Sequence, residues 1–140
     1  MSMLGYHATL TPNGEGGFVV SFKDVPEALT EIWSMDEFEA TAKDCLITAI
    51  DFYIEDHRLF PLPTKVEQGD HIIQLPVSIM AKILLLNTMV NYNIRPADLA
   101  KKMKITPQEV TRIIDTGHTT KIDTIASALK ALGKSLNVSI

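Results

Sequence analysis

The cluster of turn formers Pro12-Asn13-Gly14-Glu15-Gly16-Gly17 constrains the fold of this chain more than any other stretch. Regular structure does not run through it, because proline lacks an amide donor and glycine loses the most chain entropy when ordered. On either side stand Tyr6-His7-Ala8-Thr9-Leu10-Thr11 and Phe18-Val19-Val20-Ser21-Phe22, short runs rich in β-branched and aromatic residues. Two such runs around a glycine-rich loop are expected to pair as a hairpin. Asp24-Val25-Pro26-Glu27 has the composition of a turn, and Ala28 to Trp33 that of a third strand.

From Ser34 the apolar spacing changes to that of a helix. Ser34-Met35-Asp36-Glu37 has the spacing of a capping box, with acids placed to complement the helix dipole. Phe38, Ala42, Cys45, Leu46, Ala49 and Tyr53 then recur every three or four residues as a buried face. Opposite them lies a polar, mostly acidic stripe of Glu37, Thr41, Asp44, Thr48, Asp51 and Glu55. The helix is expected to fray near Asp56-His57, since Leu59-Phe60-Pro61-Leu62-Pro63 cannot continue it. His71 to Leu75 reads as a fourth strand. The first half, residues 1–75, is therefore expected to be β-β-β-α-β, a small sheet with one face covered by one helix.

Pro76 opens the second half, residues 76–140, in the first turn of a helix running to about Val90. Ile79, Met80, Ile83, Leu84 and Leu86 form its apolar face; Asn87 interrupts the run and Asn91-Tyr92-Asn93 ends it. A short helix over Pro96–Met103 follows. A third begins at Thr106-Pro107-Gln108-Glu109, with Thr106 as cap, Pro107 at the first helical position and Gly117 as the stop. Ile122 to Leu132 is a fourth, ending at Gly133. Leu136-Asn137-Val138-Ser139-Ile140 alternates like a strand and is a candidate for pairing between two copies of the chain.

The formal net charge of −4 conceals a division. Residues 1–75 carry 4 basic and 13 acidic side chains, and residues 76–140 carry 9 basic and 4 acidic ones, or −9 and +5. A polyanion is the natural partner of the second half and something basic that of the first. Apolar runs such as Ile83-Leu84-Leu85-Leu86 are far too short to span a bilayer, and MSMLGYHATL lacks the features of a signal peptide. Cys45 is the only cysteine, which excludes an intrachain disulfide and a cysteine-based metal cluster. A reducing cytoplasm is the expected location. His7, His57, His71 and His118 lack metal-ligand spacing, and no cofactor is expected.

The second half carries a constellation suited to DNA. Two short helices joined by a tight turn need small and apolar residues at fixed places, and Leu99, Ala100, Ile105, Val110 and Ile113 supply them. Gln108, Thr111 and Arg112 are left on the outer face, with Thr106 beside them. Gln and Arg have the geometry to read adenine and guanine edges, and Thr bonds a base or a phosphate. His118, Thr119, Thr120 and Lys121 form a polar loop placed to hold backbone phosphate, and Lys101, Lys102 and Lys104 add to the field. Residues 77–136, closing on "IDTIASALKALGKSL", resemble the Xre/Cro-like repressors with their all-α helix-turn-helix domain. Pro107 departs from that family, where a base-contacting side chain often stands. The resemblance implies a homodimer or higher oligomer on a palindromic operator.

In the first half, "GGFVVSFKDVPEALTE", the helix "EFEATAKDCLITAIDFYIED" and the proline-bearing "LFPLPT" resemble the HicB antitoxins, and the likeness extends over essentially the whole chain. Where many relatives have a glycine-containing turn before the helix, this chain has Glu31-Ile32-Trp33-Ser34. The resemblance implies a partial ribonuclease-H-like fold for residues 1–75 that binds and sterically blocks a HicA-type mRNA-cleaving toxin. It also implies that residues 76–140 bind operator DNA to repress the shared operon. Asp24, Glu27, Trp33, Glu37, Asp44 and Asp51 are the candidate toxin contacts, since acids complement a basic RNA-binding partner. An enzyme is not expected: ribonuclease-H chemistry needs carboxylates converging on two metal ions. Asp24, Glu39 and Asp44 are available, but the last two, i and i+5 on one helix, point to different sides. The alternative function is a free-standing repressor whose first domain senses a small ligand.

Overall fold

A computed structural model describes residues 4–66 and 71–140. The elements run β1 (Leu4–Pro12), β2 (Phe18–Phe22), β3 (Leu29–Ile32), α1 (Phe38–Asp56), β4 (Thr64–Lys65), β5 (His71–Ile73), α2 (Val77–Asn91), α3 (Pro96–Met103), α4 (Pro107–Ile114) and α5 (Ile122–Ala131). The architecture is α+β, an antiparallel sheet at the N-terminal end and five α-helices. The chain forms two compact units, Met1–Ala49 with Pro61–Leu75, and Ile50–Phe60 with Pro76–Ile140.

In the first unit the turn cluster makes the expected hairpin. The Asn13 side-chain oxygen accepts from the amides of Glu15 (2.8 Å) and Gly17 (3.0 Å), an Asx-type closure that leaves Gly14 and Gly16 at positive φ. β1 then pairs β2 in a register from Ala8↔Phe22 to Pro12↔Phe18, and β2 pairs β3 from Phe18↔Ile32 to Ser21↔Leu29. Gly17 lies against β3: a Cβ there would sit 2.5 Å from the Ile32 carbonyl oxygen and 2.8 Å from the Trp33 ring. β5 pairs β1 from Tyr6↔Ile73 to Ala8↔His71, and two-residue β4 pairs Leu4 and Gly5. β4 is too short to show alternation and was not expected. The core includes Tyr6, Val20, Phe22, Val25, Ile32, Leu46 and Ile73. Tyr6 donates its hydroxyl to the Pro61 carbonyl (2.8 Å), and burial pushes its pKa well above the usual phenol range.

The expected capping box precedes α1. Ser34 Oγ accepts from the Asp36 amide (3.3 Å), and Glu37 Oε2 accepts from the amides of Ser34 (3.2 Å) and Trp33 (2.7 Å). A single 3₁₀ turn over Met35–Glu37 leads into the helix, which ends where His57 turns left-handed at φ 53°. Ala42, Leu46, Ala49 and Tyr53 are buried as expected and Ile50 joins them, whereas Phe38 and Cys45 are only half-buried.

A boundary placed after Leu75 differs from the observed division at Ile50–Phe60, which belong with the helical unit. Ile54 packs on the helical core, and Asn87 holds the backbone of Phe60 in both directions, accepting from its amide (2.8 Å) and donating to its carbonyl (2.9 Å). The helical periodicity runs unbroken through Ile50, so sequence alone shows no division there.

The second unit is organised around α2, which buries Ile79, Ala81, Lys82, Ile83, Leu85, Leu86 and Met89. Burial on so many sides marks a central helix, and it corrects the expected face: Leu84 is exposed and Met80 half-buried. Leu99, Val110, Ile113, Ile125 and Leu129 close the core over it. Each large aliphatic side chain fully buried here contributes about 1.5–3 kcal/mol. α5 ends as expected, with Gly133 at φ 80°. One expectation fails. α4 ends at Asp115, whose carboxylate accepts from the Gly117 amide (2.9 Å), so Gly117 does not supply a left-handed stop. Within the single chain residues 136–140 pair with no strand, and Val138 and Ile140 are exposed, as an edge that needs a second copy to supply hydrogen bonds would be.

Candidate functional site

The α3–α4 pair presents an organised polar surface. Pro96 and Pro107 each occupy a first helical turn, where the missing amide costs nothing. Lys104 takes the left-handed conformation that ends α3 (φ 59°), and Thr106 starts α4 two residues later. Thr106 Oγ1 accepts from the Glu109 amide (3.1 Å), and the Glu109 carboxylate accepts from the Thr106 amide (2.9 Å). Thr106 is thus engaged in the cap. Val110, Ile113 and Ile114 face the core, so Gln108, Thr111 and Arg112 are turned to solvent. The Thr111 hydroxyl donates back to the Pro107 carbonyl (3.0 Å), the usual resting bond of a helical threonine.

The loop after α4 lies beside that face. Arg112, His118, Thr119, Thr120 and Lys121 line one open cavity of about 410 Å³, with Ile105 and Ile113 at its apolar side. His118, Thr119 and Lys121 are exposed; Thr120 is half-buried, and its hydroxyl lies 3.4 Å from the carbonyls of Arg112 and His118. The arrangement brings a guanidinium, an imidazole, three threonine hydroxyls and an ammonium to one concavity, donors suited to phosphate oxygens, beside the Glu109 carboxylate that is engaged in the cap of α4.

Lys82 escaped the sequence reading. It is the only charged residue of α2 and is 2 % exposed. Its Nζ donates to the carbonyls of Asp115 (2.5 Å) and His118 (2.6 Å), at the two ends of the turn leaving α4. Burial pushes its pKa down, and the Asp115 carboxylate partly offsets that. The available signal was one cation inside an otherwise uncharged, largely apolar helix: such a charge is either snorkelling or paired.

The six candidate contacts for a protein partner are divided between the units, Asp51 in the second and the other five in the first. Asp24, Glu27, Trp33, Glu37, Asp44 and Asp51 are all exposed, Trp33 at 53 %. Glu37 is engaged in the cap of α1. Asp51 belongs with the second unit, where its carboxylate accepts from the Thr116 hydroxyl (2.7 Å). Asp24 lies with His7, Thr9, Lys23, Thr64 and Lys65 around a cavity of about 560 Å³. Cys45 is half-buried, and burial and the neighbouring Asp44 raise its pKa, which keeps the thiol protonated. Among the described residues no group of three or more His, Cys, Asp or Glu side chains is placed to hold a metal ion, and no single helix is long and apolar enough to cross a membrane.

Comparison with known proteins agrees with the sequence resemblance. Residues 5–84 match the family model described as HicB-like antitoxin of bacterial toxin–antitoxin systems. The chain is 47 % identical over 133 residues to Antitoxin HicB of Escherichia coli K12, covering 95 % of this chain and 96 % of that one. It is 48 % identical to Antitoxin HicB 2 of Photorhabdus laumondii over 89 % of this chain and 88 % of the relative, and 30 % identical to Antitoxin HicB of Pseudomonas fluorescens over 89 % and 86 %. The chain belongs to the HicB-like antitoxin family of bacterial toxin–antitoxin systems.

Proposed function

We propose that this antitoxin does two jobs with two differently charged halves. The acid-rich half, residues 1–75, binds and sterically blocks a HicA-type mRNA-cleaving toxin. The basic half, residues 76–140, binds operator DNA and represses the operon encoding both proteins. The observation that carries this reading is the division of charge, −9 before Pro76 and +5 from it onward, combined with the helix pair in the basic half. A ribonuclease that grips RNA presents a positive surface, which an acidic domain meets with complementary charge and faster association. Operator DNA demands the opposite sign.

On the DNA side α3 and α4 act as a helix-turn-helix, with Gln108, Thr111 and Arg112 against base edges. Thr106, His118, Thr119, Thr120 and Lys121 are the flanking contacts, of which the exposed His118, Thr119 and Lys121 reach phosphate most directly. Two copies bind together, because one such module buries too little surface for a tight specific complex. On the toxin side Asp24, Glu27, Trp33, Glu37, Asp44 and Asp51 are the contacts to test; Glu37 and Asp51 also serve a partner within the chain. The protein works without catalysis or cofactor, in the cytoplasm.

Co-expression with the small protein encoded beside this gene tests the reading. That neighbour should arrest growth alone, be harmless when the two are expressed together, and co-purify with this chain. A neighbour that is harmless alone, or that forms no complex, would favour a free-standing repressor.

A further inference from the structure

We propose that Lys82 is a positioning residue for DNA binding. Its buried amine, bonded to the carbonyls of Asp115 and His118, holds the loop carrying His118, Thr119 and Lys121 in place beside Arg112 of α4. The inference rests on the operator-binding reading and names a part of that site that no surface inspection reveals.

An amine in an apolar core is expensive unless its hydrogens find acceptors, and a lysine in α2 adds nothing to packing that a methionine would not. Here the acceptors are two backbone carbonyls three residues apart. The Asp115 carbonyl also accepts from the His118 amide (3.2 Å), so a single amine bonds both ends of one turn. The helix is already closed before this point by Asp115, and the turn has no apolar anchor of its own: residues 115–119 are exposed or half-buried. Beyond Lys82, the turn is held by the Asp115 carboxylate on the Gly117 amide, Thr116 on Asp51 and the long Thr120 contacts. None of these others ties the turn to the central helix. Lys82 therefore connects the most buried helix of the unit to its most polar loop, and the donors lining the cavity beside Arg112 keep their spacing through it.

The test uses the full-length protein and Lys82→Met, which keeps the linear stem and removes the donors. Ile125→Val serves as a control that thins the same core without touching the loop. Amide hydrogen exchange should quicken across residues 116–121 in Lys82→Met, while α2 and α5 keep their protection. Affinity for a duplex of the region upstream of the gene should fall. The plot of log affinity against log salt should become shallower by about 1 for each phosphate contact the loop loses. A variant that is merely less stable, such as the control, lowers affinity at every salt concentration without changing that slope.

Unchanged loop exchange, or an unchanged slope and affinity with wild-type protein binding normally, would overturn the positioning role alone. A wild-type chain with no affinity for the duplex would overturn the operator-binding reading and this inference with it. Lys82→Gln, which keeps an amide donor, should fall between wild type and Lys82→Met; if only the Gln variant folds, the same exchange and slope comparison decides on it.

Discussion

Gly17 shows how much one residue controls in the sheet. It follows a turn, yet its own φ is ordinary; what it supplies is space, since a Cβ would press 2.5 Å from the Ile32 carbonyl. That neighbour is backbone and cannot swing away. Gly17→Ala should therefore shift β3 and cost about 1–3 kcal/mol, visible as an earlier denaturant midpoint and an altered emission from Trp33, the only tryptophan. His57 makes a different prediction. Burial and the nearby positive charge of Arg95 hold its pKa below the usual histidine value, and its Nε2 is buried without a hydrogen-bond partner among the described residues. The folded chain then binds fewer protons than the unfolded one between the two pKa values, so its stability rises with pH there. It is fully present above the ordinary histidine pKa and is lost as the pH falls toward the folded one. His57→Asn, which tolerates the left-handed backbone, should flatten the change in denaturation midpoint between pH 7 and pH 5.

At the scale of elements, local chemistry carried the sequence reading furthest where it was self-contained. The hairpin around Asn13, the capping boxes at Ser34 and Thr106 and the glycine stop at Gly133 were all legible, because each is decided within a few residues. Features decided by distant partners were not. β4 exists only because β1 offers it an edge, the face of α2 is set by helices on several sides, and Lys82 finds its acceptors over thirty residues away. Asn87 belongs to the same group: in sequence it interrupts an apolar run, and in the fold it satisfies both backbone groups of Phe60 in front of two prolines. Asn87→Leu removes both of these hydrogen bonds to the Phe60 backbone. A loss of about 1–3 kcal/mol in chemical denaturation is expected, despite the gain in apolar surface. The candidate DNA face was legible through Gln108, Thr111 and Arg112, because helical spacing alone decides which side of α4 faces outward. No such rule sorts the candidate toxin contacts: acids on a surface look alike whether they cap a helix, as Glu37 does, or bond a threonine, as Asp51 does.

The whole molecule is best understood as two opposite charges on one short chain. An acidic sheet and a basic helical unit would each be ordinary alone; joined, they suit the proposed function, in which one protein meets a basic partner and a polyanion without either surface resembling the other. That division is the central claim, and a single variant tests it most directly. Arg112→Ala changes one exposed side chain in the basic half. Measured in the same cells, it should weaken repression from the upstream region, with operator affinity reduced by about 1–3 kcal/mol, while protecting growth against the co-expressed toxin as well as wild type does. Loss of protection and repression together, in a protein that still folds, would contradict the division of labour.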